Sequence, residues 1–218
     1  FGSLKAWEAL RTLATIDAGN AAASCKPFAQ DRSGMVLGEG AAMIVLEAWE
    51  RAVARGATIL GEIAGYGFAN DTGHITRPSM EGQAAAIEAA LVAAAIDPSA
   101  IDAINAHGTG TQANDRVETG AIKAVFGPRA ARIPISATKA MHGHLLGAAG
   151  ALECVLSLLA MRRQVALPTM HLHLPDPECD LDFVPNRVRE GVAARTMISN
   201  SFAFGGANAV LVLRGVAG

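Results

Sequence analysis

The stretch that decides the fold reads Ile101-Asp102-Ala103-Ile104-Asn105-Ala106-His107-Gly108-Thr109-Gly110-Thr111. A short apolar run enters a glycine turn with an imidazole at its tip. Asn114 or Asp115 is placed to cap a helix that runs to about Phe126, where Gly127-Pro128 stops it, and a second apolar run follows over Ile133 to Ala137. Strand, polar glycine turn, helix and strand form the unit from which α/β proteins build sites at strand ends.

Outward from this unit the alternation continues. Upstream, Thr58 to Phe68 reads as a strand, Asp71 to Met80 as a loop, and Glu81 to Ala95 as an Ala-rich helix closed by Asp97-Pro98. Downstream, Gly147 to Arg162 reads as a long helix and Pro168 to Pro185 as an irregular excursion, with Met197 to Ser201 and Ala209 to Leu213 as closing strands. Nearer the start, Leu4, Trp7, Leu10 and Leu13 recur at helical spacing, Thr15 to Ser33 is polar loop, Gly34 to Glu47 reads as a buried strand, and a helix ends at Gly56. Helices on both faces of a mixed sheet are expected, with no repeat or linker.

The 218 residues are 51% hydrophobic and 17% charged with a net charge of -2, which describes a well-buried α/β protein without the basic footprint that nucleic acid needs. Leu145 to Met161 is the longest apolar stretch; Glu153 interrupts it and it is too short to span a bilayer. Cys25, Cys154 and Cys179 show no CxxC spacing, and no stretch resembles a signal peptide, so a reducing cytoplasmic setting is expected. Phe1 rather than Met opens the chain, which is read as upstream sequence being absent.

Three polar segments carry candidate chemistry. The first is Asn105 to Thr111. Gly108, Gly110 and Ala113 also fit the G-x-G-x-x-A dinucleotide pattern, but no acidic residue ends the next strand to hold a ribose, although Arg129 or Arg132 offers a partner for a 2'-phosphate. The second runs Ser136-Ala137-Thr138-Lys139-Ala140-Met141-His142-Gly143-His144 into Gly147 to Gly150; the helix it opens places a positive dipole end near His144, which favours a neutral ring. Lys139 precedes the helix that contains Glu153, so an internal ion pair is expected, while Asp115, Glu118 and Glu153 read as structural carboxylates. The third is Asn200-Ser201-Phe202-Ala203-Phe204-Gly205-Gly206-Ala207-Asn208, either a plain Gly-Gly hairpin or a movable aromatic plug over a pocket. The H-x-H pairs His142/His144 and His171/His173 give no closed set of metal ligands, and no G-x-S-x-G elbow is present.

Together, and in this order, the three segments resemble the beta-ketoacyl-ACP synthases of the thiolase superfamily. The resemblance extends over essentially the whole chain, including Pro27-Phe28 through Arg32, the run from Gly34 and the segment Pro177 to Pro185. It is strongest to the elongating type, and the wording around Lys139 is also similar to nodulation and aromatic polyketide branches.

The resemblance implies a layered α-β-α-β-α fold with a five-stranded mixed sheet in this part. Residues 1–56 would end the N-terminal repeat and residues 57–218 form the C-terminal one, with the missing N-terminal half covering an exposed face. It implies decarboxylative condensation of malonyl-ACP with an enzyme-bound acyl thioester, a usual dimer, acyl carrier protein as partner, and no cofactor beyond the carrier's phosphopantetheine. His107 and His144 would be the catalytic histidines with Lys139 in support. Thr109 and Thr111 would lie on the pantetheine arm. Phe202, Phe204, Gly205 and Gly206 would form the gate loop, with the Phe204 backbone N–H in the oxyanion hole. Two departures stand out: Ala203 replaces the usual glycine of the gate, and no cysteine sits in the family's setting for the nucleophile. A chain-length-factor-like partner subunit is the rival reading, opposed by the presence of both histidines; a nicotinamide-dependent oxidoreductase is the other.

Overall fold

The computed structural model describes residues 2–216. Its core is a five-stranded mixed sheet built from β1 (Glu62–Asn70), β2 (Ala103–Asn105), β3 (Ile135–Ser136), β6 (Thr196–Phe202) and β7 (Ala207–Arg214), in the order β1-β7-β6-β2-β3. β1/β7 and β7/β6 are antiparallel, whereas β6/β2 and β2/β3 are parallel. A separate two-residue pair, β4 (Val165–Ala166) with β5 (Arg189–Glu190), was not legible in the apolar pattern.

The inner strands are apolar on both faces because both are covered. Ile104, Ile198, Val210 and Val212 point into one core together with α3 (Met80–Ala93) and α4 (Gln112–Phe126), through Ala86, Ile87, Ala90, Ile122 and Phe126. Their alternate neighbours Ala103, Met197 and Leu213 point the other way, onto Cys154 and Met161 of α6 (Ala149–Arg163). The result is the three-layer helix, sheet, helix stack that period-two alternation demands.

Gly65 and Gly67 on β1 explain how tightly α3 sits. A Cβ on Gly65 would lie 2.6 Å from the Ala90 carbonyl oxygen and 2.7 Å from the Ala94 Cβ, so this pairing of bare strand with alanine face leaves no room for a side chain.

Two expectations need correction. Gly34 to Glu47 does not join a sheet: it makes isolated bridges at Met35 (to Leu13) and Leu37 (to His144), and then continues without helix or strand, with Met43, Val45 and Leu46 exposed by 91%, 87% and 73%. Its composition suits a buried strand, yet among the described residues no strand lies beside it to take its backbone groups. The cap of α4 is also neither Asn114 nor Asp115 but Thr111, whose hydroxyl accepts the Asn114 N–H at 3.3 Å. Both residues are instead buried inside the first turns, where their side chains bond other partners.

The opening helix, α1 (Gly2–Ala9), is shorter than the stripe from Leu4 to Leu13 implies, and Leu4 and Leu10 are about half exposed. Short helices α2 (Trp49–Ala54) and α5 (Lys139–His142) complete the set. No helix among the described residues is long and apolar enough to cross a membrane.

Candidate functional site

β2, β3 and β6 run parallel, so their C-terminal ends open on the same side of the sheet. The chain leaves β2 into His107, β3 into Thr138-Lys139 and β6 into the turn from Ala203 to Gly206. Parallel pairing therefore gathers three sequence-distant motifs at one rim, as open α/β sheets do. There they line a cavity of about 740 Å³ together with residues from α1, α3 and α4.

The rings of His107 and His144 are 5.3 Å apart, centroid to centroid, at 82° to one another, and both line the cavity. Phe202 presents an edge contact to His107 at 5.9 Å. Lys139 is buried, and its three ammonium protons find three acceptors: His107 Nδ1 at 3.2 Å, the His107 carbonyl at 2.6 Å, and the Glu153 carboxylate. An ammonium only donates, so His107 Nδ1 accepts and the ring proton sits on Nε2. His144 reaches the same tautomer by another route, because its Nδ1 accepts the Leu146 N–H at 3.1 Å. Neither Nε2 is bonded to a protein group among the described residues.

Both rings are held neutral. Burial first, then Lys139, then His144 push His107 well below the usual imidazole range. For His144, burial followed by Lys139 and His142 lowers the value to about 3. The helix dipole expected to act on His144 takes a different form: α6 begins only at Ala149, and the group that reaches the ring is one backbone N–H of the 3-10 turn Leu146–Ala148.

The carboxylates expected to be structural hold the first loop. Glu118 accepts from the N–H groups of His107 (2.8 Å) and Gly108 (2.9 Å) and from Asn200 Nδ2 (3.1 Å). Asp115 accepts from Phe28 N–H at 2.8 Å and Gly110 N–H at 3.3 Å, with Arg32 3.5 Å away. Burial raises Glu118 and carries Asp115 to about 6, opposed chiefly by the Gly108 N–H in one case and Arg32 in the other. Glu153 is also raised by burial, with Lys139 opposing. These bonds dispose of the dinucleotide pattern: the loop amides that would cradle a pyrophosphate already bind two carboxylates, which would repel one.

Thr109 and Thr111 line the cavity with hydroxyls 3.0 Å apart. The third motif is a hairpin, Phe202 opposite Asn208, with Gly205 and Gly206 at φ +82° and +77°. Phe202 is buried, whereas Phe204 is 40% exposed, lines the cavity and meets Trp7 of α1 at 5.6 Å.

The H-x-H spacing does not converge: His142 turns to the Gly143 carbonyl (2.7 Å) and the Thr138 hydroxyl (3.2 Å), away from the cavity. Cys25 is buried rather than in an open polar loop, with its thiol donating to the Lys139 carbonyl at 3.3 Å; burial pushes it, like Cys179, up to about 11. Cys154 is raised by burial as well, so none of the three thiols is activated.

Sequence reasoning quoted Arg32 and Asn200 within its segments but gave neither a role: Arg32 is fully buried between Asp176 (2.6 Å) and Asp115, and Asn200 lies beneath Glu118. An arginine four residues past an apolar Pro-Phe pair was the available signal for the first; for Asn200 the signal was its place at the head of the third polar segment.

Known proteins resemble this chain in sequence and fold. The model of the "Beta-ketoacyl synthase, C-terminal domain" matches residues 60–173 and that of the N-terminal domain matches residues 3–52. Nodulation protein E of Rhizobium leguminosarum bv. trifolii is 50% identical over 99% of this chain and 52% of its own length. A 3-oxoacyl-[acyl-carrier-protein] synthase 2 from Coxiella burnetii is 51% identical over 86% of the chain and 46% of its own length. Among solved structures, a type II PKS acyl-carrier protein in complex with its ketosynthase superimposes with a TM-score of 0.95 at 39% identity, over 99% of this chain and 53% of that one. A beta-ketoacyl synthase from Burkholderia phymatum STM815 gives 0.94 at 40%, over 99% and 52%. The chain thus spans about half the length of the relatives it matches. With both family models matched in order and these relatives at half identity, the chain belongs to the beta-ketoacyl synthase family and carries its thiolase-type fold.

Proposed function

We propose that this chain carries the decarboxylating half of a condensing enzyme that lengthens acyl chains on acyl carrier protein. The observation that carries the reading is the pair of cavity-facing rings, each fixed by its Nδ1 acceptor so that Nε2–H is the free donor. A malonyl thioester oxygen seated between them accepts both hydrogen bonds. Cleavage of the C–C bond to carboxylate releases CO2 and leaves its electron pair in the enolate, whose charge gathers on that oxygen. The enolate carbon then attacks an acyl thioester, forming the new C–C bond and expelling the thiolate. Preorganised donors at such an oxygen contribute about 3 to 4 kcal/mol each.

Lys139 acts on His107 rather than on substrate, fixing its tautomer and discouraging its protonation. Thr109 and Thr111 present hydroxyls to the pantetheine arm, and the Phe204 loop gates the acyl pocket. The nucleophilic cysteine comes from the preceding part of the N-terminal domain; the inactive settings of Cys25, Cys154 and Cys179 support this. So do the exposed side chains of Met43, Val45 and Leu46, which that part would cover. We place the boundary between repeats at residues 56 and 57, in keeping with the family matches ending at 52 and resuming at 60. The full enzyme works as a dimer, takes acyl carrier protein as partner and needs no cofactor besides the carrier's phosphopantetheine. Three free thiols suit a cytoplasmic setting, and the 218 residues alone are expected to be inactive.

A non-catalytic role beside a ketosynthase is the second reading, favoured by two structural neighbours described as ketosynthase with chain length factor. The test separates them. In the complete polypeptide, His107→Ala and His144→Ala each lower CO2 release from malonyl-ACP by about 10²- to 10³-fold, the usual loss for one such donor. Full rate in both variants refutes the assignment, and no release by the unaltered protein favours the partner role.

A further inference from the structure

Five buried side-chain atoms lack a hydrogen-bond partner among the described residues: Gln83 Oε1, Arg129 Nε, Glu153 Oε2, Asn186 Oδ1 and Asn200 Oδ1. Only Gln83 lies on the wall of the cavity. It stands in the first turn of α3 and is fully buried. Its single side-chain bond is a long one, Nε2 to Asn114 Oδ1 at 3.4 Å. Exchanging the amide oxygen and nitrogen leaves one carboxamide atom free in either orientation. Buried polar groups are ordinarily paired, and an unpaired one destabilises the fold that contains it. A residue kept under that penalty beside a cavity is better explained by a ligand than by packing.

Resting on the reading above, we propose that Gln83 is a substrate-positioning residue whose carboxamide hydrogen-bonds an amide N–H of the pantetheine-type thiol arm. The location fits. Asn114, which touches Gln83, also bonds Asp115 and Glu118, and Glu118 holds the backbone of His107. Gln83 therefore borders the loop carrying Thr109 and Thr111, and gives their hydroxyl wall an acceptor from the opposite helix. The surroundings are largely apolar, with Phe68 and Ala209 on the same cavity, so one amide aligned there fixes how far the arm enters.

The test is Gln83→Met in the complete polypeptide, a change that keeps the unbranched shape and removes both polar atoms. Decarboxylation is measured with malonyl-pantetheine and with a malonyl thioester of ethanethiol, which contains no amide. The expected result is a KM about tenfold higher for malonyl-pantetheine with kcat within about twofold, the loss of one hydrogen bond. KM for the amide-free thioester should not change, and the thermal midpoint should stay close to the native one, because removal of the unpaired Gln83 oxygen offsets the loss of the long bond to Asn114 Oδ1. An unchanged KM for malonyl-pantetheine, or an equal rise for both thioesters, overturns the assignment while leaving the two-histidine reading standing. No turnover by the unaltered polypeptide on either thioester sinks both together.

Discussion

Glu118→Gln isolates the group that holds the loop from His107 to Gly110 in place. In the native arrangement one carboxylate oxygen takes His107 N–H and Asn200 Nδ2, and the other takes Gly108 N–H and Asn114 Nδ2. All four are donors, so only an acceptor on both sides satisfies them. A carboxamide has one oxygen; wherever it turns, its NH2 faces donors, and a backbone N–H loses its partner. Hydrogen bonds to a charged group contribute about 1.5 to 3 kcal/mol each. Losing two costs roughly 3 to 6, and relief from burying a carboxylate that the interior already resists offsets part of this. A net loss of about 2 to 4 kcal/mol is expected, a large share of a usual stability of about 5 to 15 kcal/mol. Urea unfolding of the complete polypeptide, with the slope checked for constancy, measures it. Malonyl-ACP decarboxylation by the folded variant should fall as well, since the His107 backbone is no longer pinned. A change below about 0.5 kcal/mol with native rate would refute the reasoning, that figure being the level of an ordinary surface substitution.

Two further outcomes follow from the same site. His144 is lowered to about 3 from 6.5, so between those values the unfolded chain binds more protons and stability rises with pH; Asp115, raised to about 6, acts in the opposite direction between 3.8 and 6. Comparing the protein with His144→Gln cancels the Asp115 contribution: from pH 6.5 down to 5 the native protein should lose about 2 kcal/mol relative to the variant by urea unfolding, and parallel curves would show the ring is not desolvated. At the hairpin, a Cβ on Gly206 would meet the Asp71 backbone at 2.7 and 2.8 Å with φ at +77°, whereas Gly205 has nothing near. Gly206→Ala should therefore cost about 2 kcal/mol or more and Gly205→Ala about 1, by thermal or urea unfolding; equal costs would mean that Asp71 simply moves aside.

Much of this site was readable in the residues because its parts are local. Strand, glycine turn and imidazole from Ile101 to Thr111 follow from composition and breakers, and the parallel order of β2, β3 and β6 brings the rest to the same rim. The Lys139 to Glu153 ion pair was foreseeable from a lysine leading into an apolar helix. Tautomers were not, since they depend on Leu146 and Lys139 being where folding puts them. Thr111 as the cap of α4 was missed because three neighbouring residues could all cap, and burial of Asn114 and Asp115 decided among them. Gly34 to Glu47 was misjudged for the opposite reason: apolar content records that a segment is to be buried, not which neighbour buries it.

That bare segment has a consequence for anyone handling the 218-residue chain. Ala41-Ala42-Met43-Ile44-Val45-Leu46 is uncharged, free of proline and glycine, and held in neither helix nor strand. Its backbone is an open template on which copies can stack at the ~4.8 Å repeat of a cross-β array. Fibril growth should start there when the chain is produced alone, and a lysine at Val45 should delay it without touching the histidine pair.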